Sequence, residues 1–164
     1  MYHFNYSLIY DNFTPFADSF FAFSATFHQH DGQAVNYYEE SIRFSNVTVN
    51  EGSTYDAKVG SFTAPLPGFY YLHTSVVTSQ RTRYVSGPGD DCQTMFRKNR
   101  KVIPWLSASA ECDNFDVVDD NCYVTNAVTS VMRLEKNDVI DVIIVGEKCA
   151  PSSNSIFQGY YLHA

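Results

Sequence analysis

The sequence lacks the apolar run of about 20 residues that a membrane-spanning helix requires. It also lacks the dense lysine and arginine stripe that binds the phosphate backbone of nucleic acids. The 11 Lys and Arg stand against 18 Asp and Glu, and no acidic or basic tail concentrates the formal net charge of −7. We therefore expect no membrane span and no nucleic-acid partner.

Catalytic motifs are missing as well. The chain contains no nucleophile elbow, no His-Glu-x-x-His and no glycine-rich phosphate loop after a strand. Its four cysteines are expected to be oxidised, and a disulfide sulfur cannot act as a nucleophile. The sequence predicts that the protein is not an enzyme.

Aromatic residues are abundant instead, with 13 Phe and 12 Tyr in 164 residues. A chain of this length forms one domain with a single core. Phe and Tyr favour strands, and their number exceeds what one small core easily buries. We expect some of the rings to lie in a subunit interface, although core packing is the alternative for any single ring.

Turn-forming residues divide the chain into short apolar segments, which indicates many strands and no long helix. Apolar and polar residues alternate most clearly over residues 128–134. The nearly continuous apolar run over residues 139–145 indicates a strand buried on both faces. The predicted fold class is all-β.

Four cysteines and two Asn-x-Thr sequons favour an extracellular, disulfide-bonded protein. They are Cys92, Cys112, Cys122 and Cys149, with candidate glycosylation at Asn12 and Asn46. Sequence alone leaves three disulfide connectivities open, and an unmodified surface asparagine is the alternative at either sequon. The start of the chain lacks a signal-peptide pattern, so we expect a mature secreted form.

Six blocks of sequence carry a family resemblance. The most informative reads Gly-Ser-Phe-Thr-Ala-Pro-Leu-Pro-Gly-Phe-Tyr-Tyr-Leu from Gly60 to Leu72. The other blocks are residues 21–25, 42–44, 49–56, 134–139 and 155–162. In this order and spacing they resemble the globular head domain of complement C1q. The resemblance implies an antiparallel two-sheet jelly roll over residues 20–164, related to tumour necrosis factor, and a homotrimer packed through one sheet.

Residues 1–19 lie outside the resemblance and form an aromatic-rich segment that could add a strand. The sequence contains no Gly-X-Y repeat and hence no collagen stalk. The resemblance is therefore to secreted, collagen-free heads of the invertebrate type. It does not extend to complement activation, which depends on collagen stems.

The family's strand arrangement also implies the disulfide pairing. It places the strand that begins near Gln93 antiparallel to the strand over residues 139–145, which brings Cys92 beside Cys149. The other two cysteines both precede the strand over residues 125–134. The implied second pair is Cys112 with Cys122.

Several members of the resembled family hold calcium with acidic residues near the trimer apex. The corresponding loop here contains Asp116, Asp119 and Asp120, whose carboxylates suit calcium. Val124 and Thr125 stand where an acid would match the family pattern. No cofactor is expected to be required, and calcium binding and a solvated acidic loop are the two interpretations.

A basic set supplies candidate ligand-binding residues, because an arginine fork pairs bidentately with a carboxylate such as that of sialic acid. The candidates are Arg81, Arg83, Tyr84, Arg97 and Trp105. The alternatives are a solvated hairpin over residues 98–101 and solvated arginines in the loop that holds Arg81 and Arg83. Trp105 is expected to be packed rather than to stack on a sugar. His28 and His30 could bind zinc but are expected to be unliganded, and His73 to be hydrogen-bonded within a strand.

Three functions remain open. The leading one is a lectin-like pattern-recognition trimer that binds glycans, including sialylated or other acidic ones, in innate immunity. The alternatives are a trimeric ligand of a cell-surface receptor, of cytokine or synaptic-organiser type, and a structural trimer of extracellular matrix or mucus.

Overall fold

The structure is a computed structural model that describes residues 20–28, 40–81, 92–110, 121–146 and 149–164. Every regular element within these ranges is a strand, which confirms the all-β prediction. The strands are β1 (Ala22–Thr26), β2 (Asn46–Glu51), β3 (Tyr55–Asp56), β4 (Ser61–Thr63), β5 (Gly68–Arg81), β6 (Cys92–Lys98), β7 (Lys101–Ala110), β8 (Asn121–Leu134), β9 (Val139–Val145), β10 (Ala150–Pro151) and β11 (Ile156–His163).

The strands form two antiparallel sheets, as predicted. In the first sheet, β8 pairs with β5 along its whole length, and β5 is followed by β11, β1 and β2. The short β10 pairs with the last residues of β5 beyond β11. The second sheet has the order β3-β4-β9-β6-β7. Strands β7 and β8 are the neighbouring edges of the two sheets on one side of the sandwich.

Aromatic rings fill the space between the sheets. Phe23 stacks on Tyr55 and Phe62 with ring centroids 5.2 and 5.0 Å apart, and it meets Phe157 edge-on at 4.7 Å. All four rings are buried. Such pairs contribute about 0.5–1.5 kcal/mol each beyond the burial of their area. The core therefore accounts for a large part of the aromatic surplus, but not for all of it.

The predicted antiparallel pairing of β6 with β9 is confirmed, with Gln93 opposite Val145. Cys92 begins β6, and it is joined to Cys149 with a Cα–Cα distance of 5.8 Å. This is the pair that the resemblance implied. It closes a sequence separation of 57 residues, and such closures contribute roughly 2–4 kcal/mol. The predicted Cys112–Cys122 pair lies outside the described residues.

The predicted tight hairpin over residues 98–101 joins β6 to β7. Its two turn residues, Asn99 and Arg100, have φ values of 51° and 65°, as a two-residue hairpin with the right-handed strand twist requires. Asn99 is bound to Val139 of β9 by two hydrogen bonds, of 2.8 and 2.9 Å. The turn is thus held against the middle of the second sheet.

Candidate functional site

The predicted ligand-binding residues occupy separate places. Arg81 is the last residue of β5 rather than a loop residue, which corrects the expectation from the sequence. Arg83 and Tyr84 lie outside the described residues. Arg97 lies on β6 of the second sheet, and Trp105 lies on the edge strand β7. The structure does not bring Arg97 and Trp105 into one pocket.

The expectation that Trp105 is packed is wrong, because its side chain is 81% exposed. It follows Pro104, which has no backbone N–H to donate and therefore fits an edge strand. Trp105 lines an open groove of about 500 Å³ between the edges β7 and β8. The other lining residues are Lys98, Asn99, Lys101, Val102, Ile103, Leu106, Ser130, Val131, Met132 and Arg133.

The outer face of the first sheet presents rings and aliphatic side chains. Tyr71 of β5 lies between Val131 of β8 and Tyr160 of β11. The two tyrosine rings stack with centroids 5.0 Å apart, while Tyr160 remains 43% exposed and Val131 58% exposed. His73, two residues after Tyr71 on β5, shares a 2.8 Å hydrogen bond with Thr129. This agrees with the expectation that His73 is hydrogen-bonded within a strand.

The second sheet carries a buried ion pair on its outer face. Arg97 donates from Nε to Oδ1 of Asp141 at 2.9 Å and from Nη2 to Oδ2 at 2.7 Å. The two side chains are only 12% and 8% exposed. Ser41 closes the arrangement, since its hydroxyl donates to Asp141 at 2.6 Å and accepts from Arg97 at 3.0 Å. Arg97, one of the predicted ligand-binding residues, thus makes its bidentate fork to a carboxylate of its own chain.

This ion pair forms part of the lining of a polar cleft of about 370 Å³, which we call the arginine cleft. Its lining residues are Glu40, Ser41, Arg43, Val59, Ser61, Arg97, Arg100, Val139 and Asp141. Arg43 and Arg100 are exposed, and neither forms an ion pair within the described part of the chain.

Asp138 connects the β6–β7 hairpin to the turn between β8 and β9, beside the cleft. Its carboxylate accepts from Nζ of Lys98 at 2.6 Å, Nδ2 of Asn99 at 2.8 Å and the backbone N–H of Glu135 at 2.7 Å. Burial alone would raise the pKa of Asp138, but these hydrogen bonds outweigh it and hold the pKa below its usual range. The hairpin is therefore anchored by charge as well as by backbone bonds.

The remaining predicted sites fall only partly within the described residues. Asn46 begins the edge strand β2, is exposed, and donates from Nδ2 to Thr26 Oγ1 at 2.9 Å. Asn12, His30 and the calcium candidates Asp116, Asp119 and Asp120 lie outside them. Among the residues that are described, no three His, Cys, Asp or Glu side chains are grouped to hold a metal ion. No helix there could cross a bilayer.

A sequence model of the family described as C1q domain matches residues 22–162. The chain belongs to the C1q domain family. This confirms the resemblance seen in the six sequence blocks. Proteins with C1q domains are trimeric recognition modules of innate immunity, and the family is not enzymatic.

Relatives of this C1q domain include the B-type subunit of the complement C1q subcomponent. The bovine (Bos taurus) protein is 28% identical over 149 residues, which cover 87% of this chain and 50% of that protein. The human (Homo sapiens) protein is 26% identical, with coverages of 76% and 44%. The C1q domain described here thus spans about half the length of the curated relatives it matches.

A solved structure confirms the jelly-roll fold of this C1q domain. The globular domain of zebrafish complement 1qA protein superposes with a TM-score of 0.63 at 17% sequence identity. The match covers 87% of this chain and 98% of that one.

Sequence reasoning missed most residues of the arginine cleft, including Arg43 and Asp141. In the sequence, Arg43 is only part of a family block, and Asp141 only interrupts the apolar run over residues 139–145. The signal for Asp141 was a single carboxylate within residues 139–145, a position that demands a buried partner.

Proposed function

We propose that this C1q domain is a secreted, non-enzymatic module that assembles as a homotrimer and recognises acidic glycans in innate immunity. The observation that supports assembly is the exposed apolar face of the first sheet around Tyr71 and Tyr160. An exposed patch of this kind on a sheet face marks a protein–protein contact. Secretion is supported by the Cys92–Cys149 disulfide, because such bonds persist in oxidising compartments.

The surface that would meet this face is the groove around Trp105. Val131 belongs to both surfaces, because it stands beside Tyr71 on the sheet face and also lines the groove. A contact between the face of one copy and the groove of the next is heterologous, and such contacts form a ring when the rotation between neighbouring copies closes. A ring of three copies would have the three-fold symmetry of the family's trimers.

Acidic glycans are the proposed ligands because the second sheet presents arginines. The arginine cleft lies on the opposite sheet from the tyrosine stack and shares no lining residue with the groove around Trp105, so the proposed assembly leaves it accessible. Three identical weak sites on one trimer gain affinity on a repetitive surface through avidity.

Assembly is tested by light scattering on the purified chain and on the variant Tyr160→Asp. We expect a trimer for the natural sequence and a monomer for the variant, because three carboxylates would be buried in an apolar contact. Val59→Asp is the matched control, since it places the same charge at an exposed valine in the turn between β3 and β4. A monomeric natural chain would refute the assembly.

Recognition is tested by a glycan array probed with the verified trimer. Selective binding of sialylated, uronylated or sulfated glycans supports the proposal. A blank array from a confirmed trimer would refute glycan recognition and favour a receptor-ligand or matrix function.

A further inference from the structure

We infer that the arginine cleft is the glycan site, and that Arg43 and Arg100 clamp the anionic group of one acidic sugar residue. The inference rests on the proposed function and names its binding residues. They differ from the basic candidates at the end of β5, and they come from two segments far apart in the sequence.

The floor of the cleft is electrically balanced. Asp141 is paired bidentately with Arg97 and holds the hydroxyl of Ser41, so this acid is already satisfied by its own chain. Of the remaining charged lining residues that the structure describes, Arg43 and Arg100 stand against one acid, Glu40. The exposed rim therefore favours an anion, and a guanidinium fork matches a carboxylate or a sulfate.

Arg43 is held in place by its neighbours in the sequence. The side chains of Ile42 and Phe44 are fully buried on either side of it, which turns Arg43 outward. The N–H of Ile42 donates to the carbonyl of Val142 on β9 at 2.8 Å. Both the N–H and the carbonyl of Phe44 bond to the Tyr55 hydroxyl at 3.2 Å.

Gly60 lets the segment that carries Arg43, which forms one wall of the cleft, lie close to the second sheet. Gly60 has a φ of 73°, and a Cβ there would stand 2.2 Å from the carbonyl oxygen of Ile42 and 3.1 Å from the Cα of Arg43. No other residue fits between the two segments without moving the wall.

Arg100 is held from the other side. It occupies the hairpin turn that Asn99 fixes to Val139 of β9, and Asp138 secures that turn through Lys98 and Asn99. Both arginines thus project from backbone fixed to the same strand, β9. Fixed attachment points reduce the ordering cost of binding, although the long side chains still move.

The remaining lining suits a sugar ring. The volume of about 370 Å³ falls in the range of small-molecule sites, and holds one residue of a glycan. Val59 and Val139 offer apolar contact to a ring face, while Glu40 and Ser61 can accept hydrogen bonds from hydroxyl groups.

The test is an NMR titration of the full chain with N-acetylneuraminic acid, with 6-sulfated N-acetylglucosamine and with neutral galactose. We expect one or both acidic sugars to shift the amide signals of Ser41, Arg43 and Arg100, and galactose to leave them unmoved. Shifts with the first sugar alone identify a carboxylate ligand, and shifts with the second alone identify a sulfate. Acidic sugars that shift none of these signals would overturn the inference.

Variants identify the clamp. Arg43→Ala/Arg100→Ala should weaken binding of the acidic sugar at least 10-fold. Lys58→Ala/Lys136→Ala removes the same charge at two exposed lysines that line neither the cleft nor the groove around Trp105, and should change binding less than 2-fold. Equal losses of affinity in the two double variants would mean that net charge, and not the position of the arginines, determines binding, and would overturn the inference.

Failure of this inference is distinguishable from failure of the proposed function. A trimer that binds acidic glycans on the array equally well with and without Arg43 and Arg100 refutes the cleft but leaves the function intact. A chain that binds the acidic sugars in the cleft while remaining monomeric refutes the assembly and supports the cleft.

Discussion

The outer faces of the two sheets differ in the contacts and the exposure of their side chains. On the first sheet, Tyr71 and Tyr160 stack on each other and keep apolar area in water. On the second sheet, Arg97 and Asp141 satisfy each other across neighbouring strands and are almost buried within one copy. In the proposed assembly, burial of this apolar area on the first sheet by a second copy stabilises the contact, whereas the ion pair of the second sheet needs no partner from another copy. The proposed function thus assigns association to the first sheet and recognition to the arginines at the rim of the second.

Breaking the ion pair should have the largest effect on folding. Arg97→Ala leaves the carboxylate of Asp141 buried without its partner, and we expect the free energy of unfolding to fall by about 3–5 kcal/mol. Urea denaturation measures the change. The double variant Arg97→Met/Asp141→Leu should restore most of the loss, because apolar residues of similar volume need no partner. A loss below about 1 kcal/mol in Arg97→Ala would show that the pair is solvated.

Displacing the segment that carries Arg43 should have the next largest effect on the free energy of unfolding. Gly60→Ala forces a Cβ against the carbonyl of Ile42 and places a side chain at a positive φ, so we expect a loss of about 1–3 kcal/mol. Urea denaturation measures the loss. In NMR spectra, the amide signal of Arg43 should shift, whereas that of Tyr160 should not. Ser61→Ala, one residue later, is the control and should cost less than about 1 kcal/mol.

The sequence predicts the framework of this comparison but not its details. Turn spacing and alternation over residues 128–134 indicate strands, since a period of two is a local property. The pairing of Arg97 with Asp141 is not local, because 44 residues separate them and only the β6–β9 register brings them together. Trp105 was expected to be packed because large rings usually are, and Pro104 beside it was the overlooked indication of an edge strand.

The anchor of the hairpin should respond to pH. The pKa of Asp138 is lower in the folded chain than in the unfolded one, so its stabilisation is complete above the unfolded value of about 3.9 and is lost as pH falls through the lower folded value. We expect Asp138→Asn to cost about 1 kcal/mol at pH 7, because the turn is partly screened by solvent. The difference between variant and natural chain should shrink as pH falls through the folded pKa of Asp138 and vanish below it. A difference that persisted there would assign the loss to packing rather than charge.

Removing the exposed tryptophan should have the smallest effect on folding and still affect assembly. With its side chain 81% exposed, Trp105 contributes little to one copy, so Trp105→Ala should change the unfolding free energy of a monomer by less than about 0.5 kcal/mol. In the proposed contact the same ring is covered by the sheet face of the next copy, where a buried aromatic anchor typically contributes at least about 2 kcal/mol. Light scattering over a dilution series should therefore show the variant dissociating at concentrations at least about 10-fold higher. Unfolding measured in the monomeric Tyr160→Asp background separates the two effects. A large stability loss there would place Trp105 in the core of one copy, and an unchanged dilution series would remove the groove from the subunit contact.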